Sequence, residues 1–83
     1  MKVLYFAWLR ARTGCAEETV SPPGDVATVG ALVEWLKARS PGHAAAFKDM
    51  RVVRAAVNQN LAGLDHNVAP GDEIAFFPPM TGG

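Results

Sequence analysis

The chain has 83 residues, with eight basic residues balanced by eight acidic ones and a single cysteine, Cys15. One domain of this size buries roughly 60–65% of the surface its unfolded chain exposes, so it builds one core between two layers and has no room for a deep enclosed active site. The balance gives no basic stripe for nucleic acid, and one cysteine excludes an internal disulfide and a thiolate metal cluster, so the expectation is a carrier, a binding module or a subunit with no metal site.

Met1-Lys2 followed by the apolar run Val3 to Leu9 has the outline of a secretory leader. The run is short, is closed by Arg10 and Arg12, and has no small-residue cleavage site. It also falls far below the ~20 apolar residues of a membrane span. A buried strand over Val3–Trp8 and a cytoplasmic location are therefore expected, with no membrane partner. Leu9–Gly14 reads as a turn or short helical segment stopped by Gly14. Cys15 reads as a small loop residue. Glu17–Val20 is a weaker strand, ended by Ser21-Pro22-Pro23-Gly24.

Val29, Leu32, Val33 and Leu36 fall at i, i+3, i+4 and i+7, one apolar face of a helix. Thr28 stands at its N-cap, with the capping box incomplete because position 31 is Ala. Lys37 and Arg39 suit its C-terminal end, and Ser40-Pro41-Gly42 ends it. His43–Lys48 reads as a short second helix, Arg51–Val57 as a strand, Asn58-Gln59-Asn60 as a turn and Leu61–Leu64 as a brief strand. Ala69-Pro70-Gly71-Asp72 has the Pro-Gly centre of a type II turn. Glu73–Phe77 is the last strand, stopped by Pro78-Pro79, which cannot donate to a ladder. One main helix on a mixed sheet of about five strands is a two-layer α+β domain, and this element order matches the β-grasp, ubiquitin-like fold.

The pattern leaves apolar surface over. In the last strand Ile74 and Phe76 point to one side and Ala75 and Phe77 to the other. If Ile74 and Phe76 face the helix, Phe77 lies on the open face. The first strand sets Leu4, Phe6 and Trp8 against Val3, Tyr5 and Ala7, and periodicity does not say which set is inner. Either way, large apolar side chains face outward beside the C-terminal segment, which marks a partner site.

Residues 78–83 are expected to project as a tail ending in Gly82-Gly83. Two terminal glycines arise by chance roughly once in 200 chains, but here a rigid Phe-Phe-Pro-Pro segment launches them from a strand. Without Cβ atoms the glycine backbone can enter a narrow channel and approach another protein's active site. A carboxylate is a poor electrophile. Adenylation would give it a leaving group, and a sulfur nucleophile would then give a thiocarboxylate able to deliver sulfur. No phosphate-binding glycine loop is present, so ATP and Mg²⁺ are expected in an activating enzyme and no cofactor on this chain.

Ala55-Ala56-Val57-Asn58-Gln59, Asp65-His66 and the run from Gly71-Asp72-Glu73 through Phe76-Phe77-Pro78-Pro79-Met80-Thr81-Gly82-Gly83 resemble the small, sulfur-carrying subunit of molybdopterin synthase. Lys2 to Ala7 and Arg10 are similar too. The resemblance spans nearly the whole chain, and it is loose over Ser21–Val26 and Gly42–Asp49. It implies that an adenylating enzyme activates Gly83 and a sulfurtransferase system loads it. The tail then enters the large catalytic subunit and supplies dithiolene sulfur to cyclic pyranopterin monophosphate. The implied assembly is a heterotetramer of two small and two large subunits, with catalysis in the large one. Gly82 and Gly83 match the functional residues. Phe6, Arg10, Leu61 and Phe77 match positions that meet the large subunit and the activator, and Pro78, Pro79, Met80 and Thr81 lead into the channel. A sulfur carrier for thiamine synthesis or tRNA thiolation, a ubiquitin-like modifier and an inert β-grasp interaction module are the alternatives.

The remaining polar residues have plain structural readings. His66 is expected to bond to backbone, because a catalytic role demands more geometry than one loop histidine offers. Asp72 and Glu73 alternate faces at a turn and strand start, Asn58 and Asn60 are turn residues, and Trp35 packs beside the helix face. Arg10 and Arg12 are either solvated charges or partners for acidic groups elsewhere.

Overall fold

The computed structural model describes residues 1–79. The chain runs β1 (Lys2–Tyr5), α1 (Trp8–Thr13), β2 (Glu17–Thr19), α2 (Val29–Lys37), α3 (Pro41–Ala46), a 3-10 turn (Met50–Val52), β3 (Arg54–Val57), β4 (Asn60–Ala62) and β5 (Glu73–Phe77). The strands form one sheet in the order β2-β1-β5-β3-β4. β1 and β5 pair in parallel at its centre, and the other pairs are antiparallel. This is the expected mixed five-stranded β-grasp sheet with its main helix, α2.

Alternation fixes the inner face. Val3 and Tyr5 of β1, Ala55 and Val57 of β3, and Ile74 and Phe76 of β5 are buried. They share one core with Val29, Leu32, Val33 and Leu36, the four residues that the helical period selects. Thr28 caps α2 as expected, its hydroxyl accepting the Ala31 N–H at 3.1 Å. Leu9 of α1, Ala46 of α3 and Phe47 close the core. Phe47 meets Phe76 edge-on with ring centroids 4.9 Å apart, a favoured aromatic geometry. The first strand is thereby resolved: Val3 and Tyr5 are inner, Leu4 and Phe6 outer.

Four boundaries differ from the sequence expectation. The first strand ends at Tyr5 rather than Trp8. Ala7, at φ 55° and ψ −131°, turns the chain sharply, and Trp8 begins α1. Ser40-Pro41-Gly42 does not merely end α2. Ser40 caps α3, accepting the His43 N–H at 3.1 Å, and Pro41 occupies the first turn, where its missing N–H has no helical partner to lose. Gly42 is needed for close packing, since a Cβ there would lie 2.3 Å from the Arg12 carbonyl oxygen. Met50–Val52 form the 3-10 turn, so β3 starts at Arg54. The β3–β4 hairpin turns on Asn58 and Gln59 alone, at φ 50° and 71°, the two positive values of a type I′ turn. Asn60 already belongs to β4 and Leu64 lies beyond it. The turn before β5 is as expected, with the Asp72 N–H bonded to the Ala69 carbonyl at 3.1 Å and Gly71 at φ 90°.

Candidate partner face and tail base

The register of the sheet sets which residues share the outer face. Leu4 lies beside Ala75, Ala56 is opposite both Ala75 and Leu61, and Arg54 is opposite Phe77. Ala56 and Ala75 form a low floor flanked by Leu4 and Leu61. Phe77 and Phe6 stand at the end where β5 leaves the sheet. Phe6 is 47% exposed and Leu61 76%, large values for apolar side chains, while Phe77, Pro78 and Pro79 are half-buried. No described element covers this face, because α1, α2 and α3 contribute their buried residues to the inner core. The apolar residues that the sequence could not place are thus gathered on one surface.

The parallel pairing of β1 and β5 brings two separate segments to the tail base. The Phe6 N–H donates to the Phe76 carbonyl at 3.1 Å, so the exit of β1 is tied to the C-terminal end of β5. α1 follows at once and carries Arg10, which is exposed and has no ion-pair partner among the described residues. Phe6, Arg10, Phe77, Pro78 and Pro79 therefore cluster at one end of the sheet, with Leu61 on the same outer face on edge strand β4. Met80, Thr81, Gly82 and Gly83 lie outside the described residues.

A second polar cluster escaped the sequence reading. Glu18 of β2 accepts hydrogen bonds from the Tyr5 hydroxyl at 2.7 Å and from His43 Nε2 at 2.6 Å, and Arg39 lies 3.6 Å away. Ser40 Oγ is 2.7 Å from His43 Nδ1. Burial pushes the Glu18 carboxyl up, but the hydrogen bonds from His43 and Tyr5 outweigh it and hold the group below its ordinary value. Burial, then the bond to Glu18, pushes the Tyr5 hydroxyl far up. The chain Ser40–His43–Glu18 has the residue types of a nucleophile relay, yet Ser40 Oγ is committed to the helix cap. The cluster anchors α3 and β2 to β1. Glu18 and His43 are 25 residues apart, so no local pattern announces their meeting.

The other polar residues take the structural parts expected of them. His66 Nδ1 bonds the Asn67 carbonyl at 2.8 Å. Asp72 accepts from Asn58 Nδ2 at 3.1 Å and from the Ala69 N–H at 2.9 Å, bonds that hold its carboxyl below the usual range. Asn58 Oδ1 in turn accepts the Glu73 N–H at 3.0 Å, so this asparagine ties the hairpin to the turn before β5. Trp35 is half-buried against the core with Arg39 over its ring at 4.9 Å. Arg12 lies 4.6 Å from the centre of the Trp8 ring and donates to the Ala45 carbonyl at 3.2 Å, so its charge is partly structural. Cys15 is half-buried beside the core. Among the described residues no helix is long and apolar enough to cross a membrane.

The fold defines a ubiquitin-like β-grasp domain whose sheet has one face left bare by the described elements. The chain belongs to the ThiS family, whose model matches residues 3–83. It is 45% identical over 83 residues to the molybdopterin synthase sulfur carrier subunit of Escherichia coli, covering 100% of this chain and 99% of that one. Among solved structures it is similar to a putative molybdopterin converting factor subunit 1 from Pyrococcus furiosus, at 34% identity and a TM-score of 0.78 over 95% of each chain. It is similar also to the small archaeal modifier protein 1 of Haloferax volcanii, at 31% identity and a TM-score of 0.73, covering 96% of this chain and 97% of that one.

Proposed function

We propose that the chain is the sulfur-carrying small subunit of a molybdopterin synthase, acting in molybdenum cofactor biosynthesis through Gly83. The observation that carries the reading is the apolar outer face, whose Phe6 and Phe77 stand where the chain leaves β5 towards Gly82-Gly83. Full-length similarity to a subunit of that name supports the choice of client. In this reading a separate adenylating enzyme, holding ATP and Mg²⁺, lets a Gly83 carboxylate oxygen attack the α-phosphorus with loss of pyrophosphate. A persulfide on a sulfurtransferase system displaces AMP to form an acyl disulfide. A second thiol of that system then cleaves its S–S bond, leaving a thiocarboxylate on Gly83 and a disulfide on the donor.

The large subunit covers the outer face, meeting Phe6, Arg10, Leu61 and Phe77. It receives Pro78, Pro79, Met80, Thr81 and Gly82 in a channel, and Gly83 delivers dithiolene sulfur to cyclic pyranopterin monophosphate there. Two carriers per product accord with a heterotetramer of two small and two large subunits. This chain then contributes position and a reactive end, with no acid, base or cofactor of its own, and works in the cytoplasm.

The test is intact mass after incubation with an activating enzyme, ATP and a sulfur source. A gain equal to exchanging one oxygen for sulfur, located in the Gly83 peptide, is expected, followed by sulfur transfer to cyclic pyranopterin monophosphate. An unmodified terminus under conditions that load a known carrier would overturn the reading. The likeness to an archaeal modifier favours one second reading, conjugation of the same activated terminus to lysines, which would appear as isopeptide-linked Gly83.

A further inference from the structure

We propose that Arg54 is a partner-recognition residue, presenting its guanidinium to a carboxylate on the protein that covers the outer face; this rests on the docking reading above. Arg54 is directly opposite Phe77 in the β3–β5 register and so lies on the outer face at the end where the chain leaves the sheet. It is exposed. Its Nη1 donates to the carbonyls of Arg51 at 3.2 Å and Val53 at 3.3 Å, which holds the head group near its own backbone and leaves the remaining donors to meet an incoming group. Less side-chain freedom is then lost on binding than for an unrestrained arginine.

Charge distribution over the face says what that group is. At the far end Lys2 pairs with Glu17 at 3.2 Å. Neighbouring Arg51 is matched by Asp49 at 2.9 Å. Arg54 has no carboxylate within ion-pair distance among the described residues, and neither has Arg10. Arg54 stands beside the end of β5 on its β3 side, and Arg10 belongs to α1, which follows β1, the strand on the other side of β5. The tail end of the face is thus apolar at Phe77 and cationic at its β3 margin, where Arg54 stands. A complementary surface sets aliphatic or aromatic side chains on Ala56, Ala75 and Phe77 and carboxylates at the rim of the channel that takes the tail. A planar guanidinium suits a carboxylate with two parallel hydrogen bonds.

The experiment is calorimetric titration of the full chain with the large subunit from the same organism, at low and at physiological salt. Wild type, Arg54→Gln, Arg54→Glu and Phe77→Ala are compared after circular dichroism melts show each to be folded. Arg54→Gln is expected to weaken binding about five- to thirty-fold and to flatten its salt dependence, with Arg54→Glu weaker still. Phe77→Ala is expected to weaken binding at every salt concentration with the slope intact. If Arg54→Gln binds like wild type, or loses affinity with no change of salt slope, while Phe77→Ala is impaired, the charge pairing is overturned. If Phe77→Ala binds like wild type, the docking reading itself is overturned.

Discussion

Glu18 gathers more of the fold than any other charged residue in the described chain. It receives the Tyr5 hydroxyl and His43 Nε2 on one oxygen and Arg39 near the other, so β1, β2 and the start of α3 meet at one carboxylate. Because its carboxyl is held below the ordinary value of 4.5, the folded state binds a proton there less readily than the unfolded chain does. The sign follows directly. The stabilisation is fully present above pH 4.5 and is lost as pH falls through the lowered folded value. Denaturant titrations of wild type are therefore expected to hold steady from pH 7 to about 5 and to decline below that. Glu18→Gln should be less stable at pH 7 and show a shallower acid limb. An acid limb unchanged in Glu18→Gln would assign acid sensitivity to other carboxyls.

At the scale of elements, the β3–β4 hairpin stores strain that a single change can release. Gln59 sits at φ 71°, in the left-handed region, where its Cβ crowds the following carbonyl. A type I′ turn calls for glycine at this second position, after an asparagine such as Asn58. Gln59→Gly is expected to raise unfolding stability by about 0.5–1 kcal/mol, and a lowered or equal denaturation midpoint would show that the glutamine is held by compensating contacts.

Legibility at this scale follows how periodic each segment is. α2 could be read in full because its apolar residues repeat at helical spacing between a threonine cap and a basic end. β5 could be divided into two faces because Glu73 and Pro78 bound a short strand, and burial of Ile74 and Phe76 decides that Phe77 is on the outer one. β1 could not, because Val3 to Leu9 is apolar throughout and carries no period. The run serves the core twice, as a strand through Tyr5 and as a helix through Leu9, and only the kink at Ala7 divides it. Ser40 acts at a boundary shared by two helices, and local spacing showed only the one it ends.

For the whole molecule, the two faces of the sheet differ in burial, and the difference in task proposed for them is measurable. Residues of the inner face are almost fully shielded, so truncating their side chains destabilises the domain. Leu61 is 76% exposed on edge strand β4 and touches the core little, yet it stands on the apolar outer surface across from Ala56. Leu61→Asp is therefore expected to shift unfolding stability by no more than about 0.5 kcal/mol. The same change sets an unpaired charge into the surface proposed to meet the large subunit, and about tenfold or greater loss of affinity is expected there. The proposed activation of Gly83 gives a second readout, which separates the two partners proposed for that surface. Where the activating enzyme relies on the same face, loading of sulfur falls along with binding to the large subunit. Where it grips the tail alone, loading proceeds at the wild-type rate while synthesis of the dithiolene stops. A Leu61→Asp protein with native stability, native loading and native affinity for the large subunit would remove edge strand β4 from the interface and confine docking to the end of the sheet marked by Phe6 and Phe77.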